Sequence, residues 1–377
     1  MKIMTILGTR PEIIRLSGVI ALLDQSANHI LVDTGQNYDE RLSRIFFDEL
    51  GVRPPDVSMG VRAANFAAQI GRILEHSHDL FLEHRPDRVL ILGDTNSGLA
   101  SLVARRFGIP VYHMEAGNRC YDDRVPEEVN RRAIDHSSTV LLPYTERSRQ
   151  NLLAEGIPGN RIYITGNPIG QVIERFRPQI AQSRALDDCG VEAGRYFLVT
   201  AHRSENVDQP ERLRSLLEAL HNLHREYGYP VVYPMHPRTR SRIQTAGIHP
   251  PAGVHFLAPL GFYGFVRLEE SAFCILSDSG TVQEEACLLG VPNVTIRDVT
   301  ERPETLECGS NILCGVDPQA IAVAVRMVTA QQTRWQPPPE YVAPSVAETV
   351  CRIVLGYRMA DAAETAWRQQ EEIACAS

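Results

Sequence analysis

Short apolar runs alternate with helical patterns along most of the chain. The runs are apolar at consecutive positions, as expected for parallel strands that helices cover on both faces. The segments between them repeat apolar residues at helical spacing, so that Ile13, Leu16 and Ile20 share one face. This alternation predicts an α/β fold with doubly wound parallel sheets. Eleven strands are predicted, at residues 3–7, 30–32, 89–92, 111–114, 140–142, 162–165, 196–200, 231–233, 254–257, 273–276 and 293–296.

The number of predicted strands indicates two domains. Eleven strands are too many for one ordinary doubly wound sheet, and 377 residues favour two domains at roughly 150 residues each. A Gly-Asn-Pro turn at residues 166–168 and a polar stretch follow the sixth predicted strand. We therefore predict an N-terminal domain over residues 1–167 and a C-terminal domain over residues 168–355. Two helical stretches, 345–359 and 361–373, end the chain.

The composition excludes several classes of protein. The chain has 38 Lys and Arg against 46 Asp and Glu, which gives a net charge of −8. It therefore lacks the excess of basic residues that is typical of a nucleic-acid-binding protein. A hydrophobic content of 44% excludes a mainly disordered chain. The N-terminal apolar run is too short for a signal peptide, and no stretch reaches the roughly 18 apolar residues of a membrane span. The eight cysteines form no C-x-x-C pair, so we predict reduced thiols and a cytoplasmic protein.

Polar residues cluster directly after the predicted strands. Ligands of open α/β sheets bind outside the carboxyl ends of the strands. Because such ends occur in both predicted domains, we expect a ligand-binding cleft between the two. The strand ends concerned are residues 8–10, 93–95, 115–117, 202–205, 236–238 and 278–280.

Three carboxylates of the first domain could carry acid–base chemistry. Asp94 and Glu127 each have an ordinary alternative, as a helix cap and as a first-turn acid. Glu115 ends a predicted strand and precedes Ala-Gly, so we expect it to be half-buried, where a carboxylate without a purpose is costly. Carboxylates gathered in a cleft can have divergent pKa values and so supply both an acid and a base.

The second domain contains a candidate phosphate site. Ser279, Gly280 and Thr281 follow a strand and open a helix, whose free N–H groups can bind phosphate, although such residues also serve as ordinary caps. Glu285 could bind a ribose, whereas Glu284 fits a first-turn acid better. No zinc-ligand spacing, dinucleotide fingerprint or P-loop occurs. The cationic candidates for a diphosphate are Arg10, Arg15, Arg238, Arg297, Arg302, His202 and His236, of which Arg15 and Arg297 could equally be solvated.

Several motifs together resemble one enzyme family. They are Gly8 to Glu12, Gly93 to Asn96, Glu115 to Gly117, Pro126 to Glu128 with Asn130-Arg131, Gly166 to Pro168, Ser279-Gly280, Gln283 to Glu285 and Arg297 to Glu304. In this order the chain resembles the non-hydrolysing UDP-N-acetylglucosamine 2-epimerases from residue 1 to about residue 357. The resemblance implies the GT-B architecture of two Rossmann-like domains, with a C-terminal helix over residues 356–377 packing back on the first. It also implies a homodimer that needs no redox cofactor and no metal.

The resemblance further implies a reaction and a set of site residues. The family interconverts UDP-GlcNAc and UDP-ManNAc by removing the C2 proton, releasing UDP to leave 2-acetamidoglucal, and adding UDP back. By position, Asp94, Glu115 and Glu127 match its catalytic carboxylates, without revealing which is the base. The matches on the nucleotide side are His202 and Arg10 at the diphosphate, Ser279 and Gly280 at the phosphate turn, Glu285 at the ribose, and Arg302.

The chain departs from the family pattern at several positions. Arg15 replaces the usual lysine, so only the charge is inherited. Thr281 replaces the second glycine of the phosphate turn. Residues 118–121 and 33–38 resemble the sub-branch that forms UDP-N-acetyl-L-fucosamine from a 6-deoxy precursor, and residues 36–38 make allosteric activation by substrate doubtful.

We therefore expect a UDP-N-acetylhexosamine 2-epimerase with UDP-GlcNAc and UDP-ManNAc as the first substrate pair. The 6-deoxy pair is the alternative substrate. A GT-B glycosyltransferase would use the same nucleotide cleft but needs fewer carboxylates, and intact Asp94, Glu115 and Glu127 argue against a protein that only binds nucleotide sugars.

Overall fold

The computed structural model describes residues 1–36, 40–330 and 335–356, which divide into two compact units. The first unit contains Met1–Val172 and the described residues from Ala343 onward, and the second contains Ile173–Val342. The expected boundary after residue 167 therefore precedes the structural one by five residues. Residues 343–355, which we expected in the C-terminal domain, belong to the first unit. The helix expected over 356–377 lies outside the described residues from 357 onward.

The first unit is built on a parallel sheet of six strands. The strand order is β3-β2-β1-β4-β5-β6. The strand predicted at 162–165 is wrong, because only Ile162 forms an isolated bridge, with Leu141. The two-residue strand β3 is too short to produce a hydrophobic pattern and was not predicted. The strands are β1 (Lys2–Leu7), β2 (Asn28–Asp33), β3 (Val57–Ser58), β4 (Arg88–Leu92), β5 (Val111–Met114) and β6 (Val140–Leu142).

Helices connect these strands. The first begins as the sequence predicts, with Pro11 in its first turn and the Glu12 carboxylate accepting the Thr9 N–H at 2.6 Å. The helices between the strands are α1 (Arg10–Ser26), α2 (Glu40–Glu49), α3 (Phe66–His84), α4 (Ala100–Arg106) and α5 (Pro126–Ser137). After β6 come α6 (Glu146–Ala154) and α7 (Pro168–Arg175), and the last three residues of α7 belong to the second unit.

The second unit repeats this architecture. Its strands are β7 (Phe197–Thr200), β8 (Val231–Pro234), β9 (Val254–Leu257), β10 (Cys274–Ser277), β11 (Asn293–Thr295) and β12 (Asn311–Leu313), in the order β12-β11-β10-β7-β8-β9. The strand β12 was not predicted. The helices are α8 (Arg177–Ala181), α9 (Ala185–Cys189), α10 (Ser204–Val207), α11 (Pro210–Tyr227), α12 (Pro237–Thr245), α13 (Phe262–Glu270), α14 (Gly280–Leu289), α15 (Pro303–Glu307) and α16 (Pro318–Ala330).

The last described helix, α17 (Val346–Gly356), returns to the first unit. It packs against α1, where the Cys351 thiol lies 3.7 Å from the Val19 carbonyl oxygen, and the Arg88 guanidinium donates to the Val354 carbonyl. These contacts are the reason why residues 343–355 are not part of the second unit.

Both sheets have the Rossmann strand order, which confirms the predicted fold class. In each sheet, the first strand of the unit lies between the second and the fourth. The order in which strands are added therefore reverses at the first strand. Central strands such as β4 and β10 are buried throughout, as their uninterrupted apolar patterns require. The loops after β1 and β4 and after β7 and β10 therefore lie at the switch points where ligands of such sheets bind. Within the described part of the chain, no helix combines the length and apolar character needed to cross a bilayer.

Candidate active site

Asp94 lies in the turn after β4 and is held by a buried arginine. Arg131 of α5 donates to the Asp94 carboxylate through Nη2 and, at 3.2 Å, through Nε. The Asp94 side chain keeps 25% of its surface exposed, whereas Arg131 keeps only 4%. Asp94 is thus an oriented carboxylate with one accessible side, which fits an acid–base role.

Glu115 is the more constrained of the two carboxylates. Directly after β5 it has φ +65°, a left-handed conformation that costs roughly 1–2 kcal/mol for a residue with a Cβ. Its Oε2 accepts from Arg15 Nη1 at 2.6 Å and from the Tyr144 hydroxyl at 3.4 Å, and its Oε1 accepts from Asn118 at 3.2 Å. Side-chain exposure is 9%, so Glu115 is buried more deeply than the half-burial expected from sequence. Backbone strain at a buried, ion-paired carboxylate is typical of a functional site.

Arg15 is not solvated, contrary to one of the two alternatives for it. Its side chain is 3% exposed, and its guanidinium lies 5.8 Å from the centre of the Tyr144 ring as well as on Glu115. An arginine at this position supplies a fixed positive charge beside the carboxylate.

Glu127 and Glu128, adjacent in the first turn of α5, have different environments. Glu127 is partly exposed, whereas Glu128 is fully buried and accepts the N–H groups of Cys120 and Tyr121, each at 3.1 Å. Burial raises the pKa of Glu128, but these hydrogen bonds and the charge of Arg131 outweigh it and hold the pKa below its usual value. Glu128 therefore has a structural role that sequence reasoning missed, and Glu127 is the accessible acid.

Glu12 joins the loops after β1 and β4. Its Oε2 accepts from the N–H groups of Gly8 and Thr9, and its Oε1 accepts from the Thr95 hydroxyl at 3.0 Å. Burial outweighs these hydrogen bonds and raises the pKa of Glu12 to about 7. Arg10, beside this loop, lies with its guanidinium 5.8 Å from the centre of the Phe46 ring, and burial lowers the pKa of Arg10.

In the second unit, a buried aspartate holds the loop that carries His202. Asp278, after β10, accepts from the N–H groups of His202 and Arg203, each at 2.9 Å, and from the Asn206 amide at 3.1 Å. Burial raises the pKa of Asp278, and the hydrogen bonds oppose this rise. The His202 ring, 35% exposed, has its centre 5.4 Å from that of His236. Two predicted phosphate-side histidines are thereby brought together at the ends of β7 and β8.

The turn from Ser279 to Thr281 opens α14 as predicted. Ser279 occupies the N-cap position, but its side chain makes no cap hydrogen bond, so the ordinary capping alternative is wrong for its hydroxyl. A Cβ added to Gly280 would stand 3.6 Å from the Arg302 guanidinium carbon, which places that cation beside the helix N-terminus. Ser279, Gly280 and Arg302 thus form one cationic turn suited to a phosphate.

Two glutamates of α14 are both buried. Glu284 is fully buried and accepts from Arg302 Nε, so it is an ion-pair partner instead of a first-turn acid. Glu285, the ribose candidate, is 3% exposed and faces the buried Glu269. Burial and the negative charge of Glu285 raise the pKa of Glu269 well above its usual value. Glu285 thus shares a buried acidic contact with Glu269.

The remaining cationic candidates are engaged in the second unit. The N–H of Arg238 donates to His236 Nδ1 at 3.2 Å, and the half-exposed guanidinium of Arg238 lies 3.3 Å from Asp208. Arg297 is not solvated: its side chain is 1% exposed and donates to Glu301 at 2.7 Å. Arg297 is therefore a structural cation.

The segment 36–38 and the candidate metal ligands can be followed only through the described residues. Of residues 36–38, only Gln36 lies within the described chain, where its amide donates to the Ser97 hydroxyl. In the ranges 1–36, 40–330 and 335–356, no group of three His, Cys, Asp or Glu side chains could hold a metal ion.

Two units, each with a parallel six-stranded sheet in the Rossmann order, define an α/β protein of the GT-B architecture. The glycosyltransferase WaaG shares this fold at 13% identity, with a TM-score of 0.55 over 98% of this chain and 99% of that one. Residues 21–355 match the family described as UDP-N-acetylglucosamine 2-epimerase. The chain therefore belongs to the UDP-N-acetylglucosamine 2-epimerase family.

Individual relatives agree with this assignment. A UDP-N-acetylglucosamine 2-epimerase of Methanocaldococcus jannaschii is 39% identical over 349 residues, which cover 90% of this chain and 95% of that protein. The crystal structure of a UDP-GlcNAc 2-epimerase from that organism with UDP-GlcNAc and UDP superimposes with a TM-score of 0.89, at 36% identity over 94% of this chain and 99% of that one. A UDP-2,3-diacetamido-2,3-dideoxy-D-glucuronate 2-epimerase of Pseudomonas aeruginosa is 38% identical, covering 86% and 92%.

Proposed function

We propose that this chain epimerises UDP-N-acetylhexosamines at C2, with UDP-GlcNAc and UDP-ManNAc as the first substrate pair. A carboxylate removes the C2 proton while the C1–O bond breaks, its electrons pass to the β-phosphate oxygen of UDP, and a C1=C2 double bond forms. In the second half, UDP oxygen attacks C1 of 2-acetamidoglucal, and a proton returns to the opposite face of C2. The two faces require more than one acid–base group.

The observation that carries the proposal is the pair of oriented carboxylates at the carboxyl edge of the first sheet. Asp94 and Glu115 are each held by a buried arginine. Glu115 also lies close to the residue before Asp94, because its Oε2 is 3.7 Å from the position that a Cβ would take on Gly93. We assign the proton transfers at C2 to Asp94, Glu115 and the more exposed Glu127. The arginines hold both carboxylates in place, which suits a group that must meet the C2 proton in a defined geometry.

The second unit supplies groups suited to UDP as leaving group and nucleophile. We assign Ser279, Gly280, Thr281 and Arg302 to a phosphate, since a helix N-terminus and a guanidinium both stabilise the negative charge that develops when C1–O breaks. His202, His236 and Arg238 are assigned to the diphosphate with Arg10 of the first unit, and His202 can donate a proton there. Glu285 is assigned to the ribose hydroxyls. Arg15 contributes charge beside Glu115.

Proton NMR in D₂O tests the reaction. UDP-GlcNAc incubated with the protein should gain deuterium at C2 and form UDP-ManNAc without any acceptor, whereas a sample without protein should not change. Product that keeps a fully protonated C2 would overturn the elimination mechanism. Turnover only after addition of an acceptor would instead indicate a glycosyltransferase.

The second substrate candidate is a modified UDP-amino sugar. The 38% identical Pseudomonas aeruginosa protein is named for a diacetamido-glucuronate substrate, and residues 118–121 resemble the 6-deoxy sub-branch. Competition of UDP-GlcNAc with the 6-deoxy and the diacetamido-glucuronate UDP-sugars in one assay would rank kcat/KM for the three. A preference of at least about 100-fold for either modified sugar would replace UDP-GlcNAc as the substrate.

A further inference from the structure

A buried histidine stands in the middle of the first sheet with both ring nitrogens engaged. His113 is the third residue of β5, pairs with Ile91 of β4, and is fully buried. Its Nδ1 lies 2.8 Å from Asp135 Oδ1, and its Nε2 lies 2.8 Å from the Gly93 carbonyl oxygen. Since a carbonyl oxygen only accepts, Nε2 is the donor to Gly93. The ring therefore connects α5 to the residue that directly precedes Asp94.

Asp135 extends this connection to the loop after Glu115. Its Oδ2 accepts the Gly117 N–H at 3.1 Å and lies 2.8 Å from Arg119 Nη2. Arg119 in turn donates to Glu155 at 2.6 and 2.7 Å. Burial raises the pKa of Asp135, but His113 and Arg119 outweigh burial and hold the pKa below its usual value. One buried carboxylate thus acts directly on the turn after β5 and, through His113, on the turn after β4.

Both turns need this fixation because their glycines adopt left-handed backbone conformations. Gly93 has φ +76° and Gly117 has φ +81°. Gly93 immediately precedes Asp94, and Gly117 follows Glu115 by two residues. Glycine is the least restrained residue in a turn, so external hydrogen bonds decide where the neighbouring carboxylates point.

The same face of α5 reaches all three candidate carboxylates. Glu127, Arg131 and Asp135 are spaced by four residues and therefore lie along one line of the helix. Arg131 holds Asp94 directly, while Asp135 acts on the backbone beside Asp94 and Glu115. A displacement of α5 relative to the sheet would therefore change the distances between the carboxylates of Asp94, Glu115 and Glu127.

We propose that His113 and Asp135 are positioning residues, which set the geometry of Asp94 and Glu115 through the Gly93 carbonyl and the Gly117 N–H. The proposal rests on the function proposed above, because it assigns the two residues to the proton transfers at C2. Neither side chain reaches solvent, so neither exchanges protons with substrate.

Two substitutions of His113 separate its two hydrogen bonds. In His113→Asn the amide nitrogen takes the place of Nδ1 and retains the donor to Asp135, but the Gly93 carbonyl loses its donor. In His113→Gln the amide nitrogen takes the place of Nε2 and retains the donor to Gly93. We expect kcat of His113→Asn to fall about 100-fold and that of His113→Gln by less than about tenfold, with KM within about threefold in both, because misplacement by about 1 Å has an effect of this size.

His29 provides a matched control in the same sheet. Its Nδ1 contacts Asp24 at 2.6 Å and its Nε2 contacts the Thr5 hydroxyl at 2.8 Å, but it lies near the start of β2, at the opposite edge from the candidate site. His29→Asn and His29→Gln should leave kcat unchanged. Equal kcat values for His113→Asn and His113→Gln, or a change in KM alone, would overturn the proposal.

Amide hydrogen exchange of residues 92–98 gives a readout that does not depend on turnover. Exchange there should accelerate in His113→Asn and stay near the wild-type rate in His113→Gln. If the wild-type protein exchanges no C2 proton while the variants show this difference, the proposed function fails and the positioning of the turn stands. Unchanged exchange in His113→Asn overturns the positioning itself.

Discussion

Glu115 shows how much a single residue in this fold combines. It ends a buried strand, adopts a left-handed backbone conformation and has a buried arginine on its carboxylate. The sequence predicted its partial burial, because Glu115 follows an apolar run and precedes Ala-Gly. Its φ angle and the identity of Arg15 as its partner, 100 positions away in the chain, could not be predicted from that pattern.

Replacing the carboxylate tests its role in proton transfer. Glu115→Gln should abolish deuterium incorporation at C2, since an amide cannot take up the proton, while UDP binding measured by calorimetry stays near the wild-type affinity. Glu146→Gln, in the exposed first turn of α6, is the matched control and should keep full exchange activity. Loss of UDP affinity with retained exchange would contradict the assignment.

The left-handed conformation of Glu115 makes a separate prediction about stability. Glu115→Gly and Glu115→Ala both remove the partner of Arg15, but only glycine relieves the backbone strain. We expect Glu115→Gly to have a free energy of unfolding about 1 kcal/mol higher than that of Glu115→Ala, the reverse of the order in a helix. Urea denaturation of the two variants measures this difference. An alanine variant as stable as the glycine variant would show that the site is not strained.

Glu12 makes stability depend on pH. Burial raises its pKa from 4.5 to about 7, so between these values the folded chain retains a proton that the unfolded chain has lost. The free energy of unfolding should therefore fall as pH rises from 4.5 to 7, by roughly 3 kcal/mol from this group. Urea denaturation of the wild type and of Glu12→Gln at several pH values isolates the contribution. Identical slopes in the two proteins would refute it.

At the scale of elements, the loops after β7 and β10 are one structure held together by Asp278. The sequence placed candidate residues at both strand ends, as the apolar runs and their polar termini allow. It assigned Asp278 no role beyond the turn, because its partners His202 and Arg203 follow a different strand. Parallel strands bring such distant ends to one edge, and only the sheet order shows which ends are neighbours.

Removing this carboxylate should release the loop. Asp278→Ala leaves the N–H groups of His202 and Arg203 without their acceptor, at a cost of at least about 2 kcal/mol in stability. We expect faster amide exchange in residues 201–206 and weaker UDP binding by calorimetry. Asp278→Asn keeps an accepting oxygen and should lie between wild type and alanine. Wild-type UDP affinity in Asp278→Ala would show that this loop does not contribute to nucleotide binding.

At the scale of the whole molecule, the two units share one strand order although no internal sequence repeat is visible. The doubly wound class followed from the apolar runs alone. The strand expected at 162–165 and the two strands that were not predicted, β3 and β12, show the limit of that reasoning. The strand β3 has only two residues, and β12 lies at the edge of its sheet with one buried residue, so neither forms a buried apolar run.

The family resemblance predicts a homodimer. Light scattering on the purified chain should give about twice the monomer mass of 42.1 kDa over a range of protein concentrations. A mass of one chain at every concentration would contradict the prediction.

The sequence by itself determined the α/β class, the positions of most strands and the polar strand ends where chemistry is expected, because these depend on local periodicity and on rules common to parallel sheets. Only the tertiary structure decided which residues are partners: Arg15 with Glu115, Arg131 with Asp94, Arg302 with Glu284, and His113 between Asp135 and the Gly93 carbonyl. These contacts join residues that are between 18 and 100 positions apart in the chain. Side-chain pairing of this kind depends on sheet order and helix packing, which no local pattern encodes.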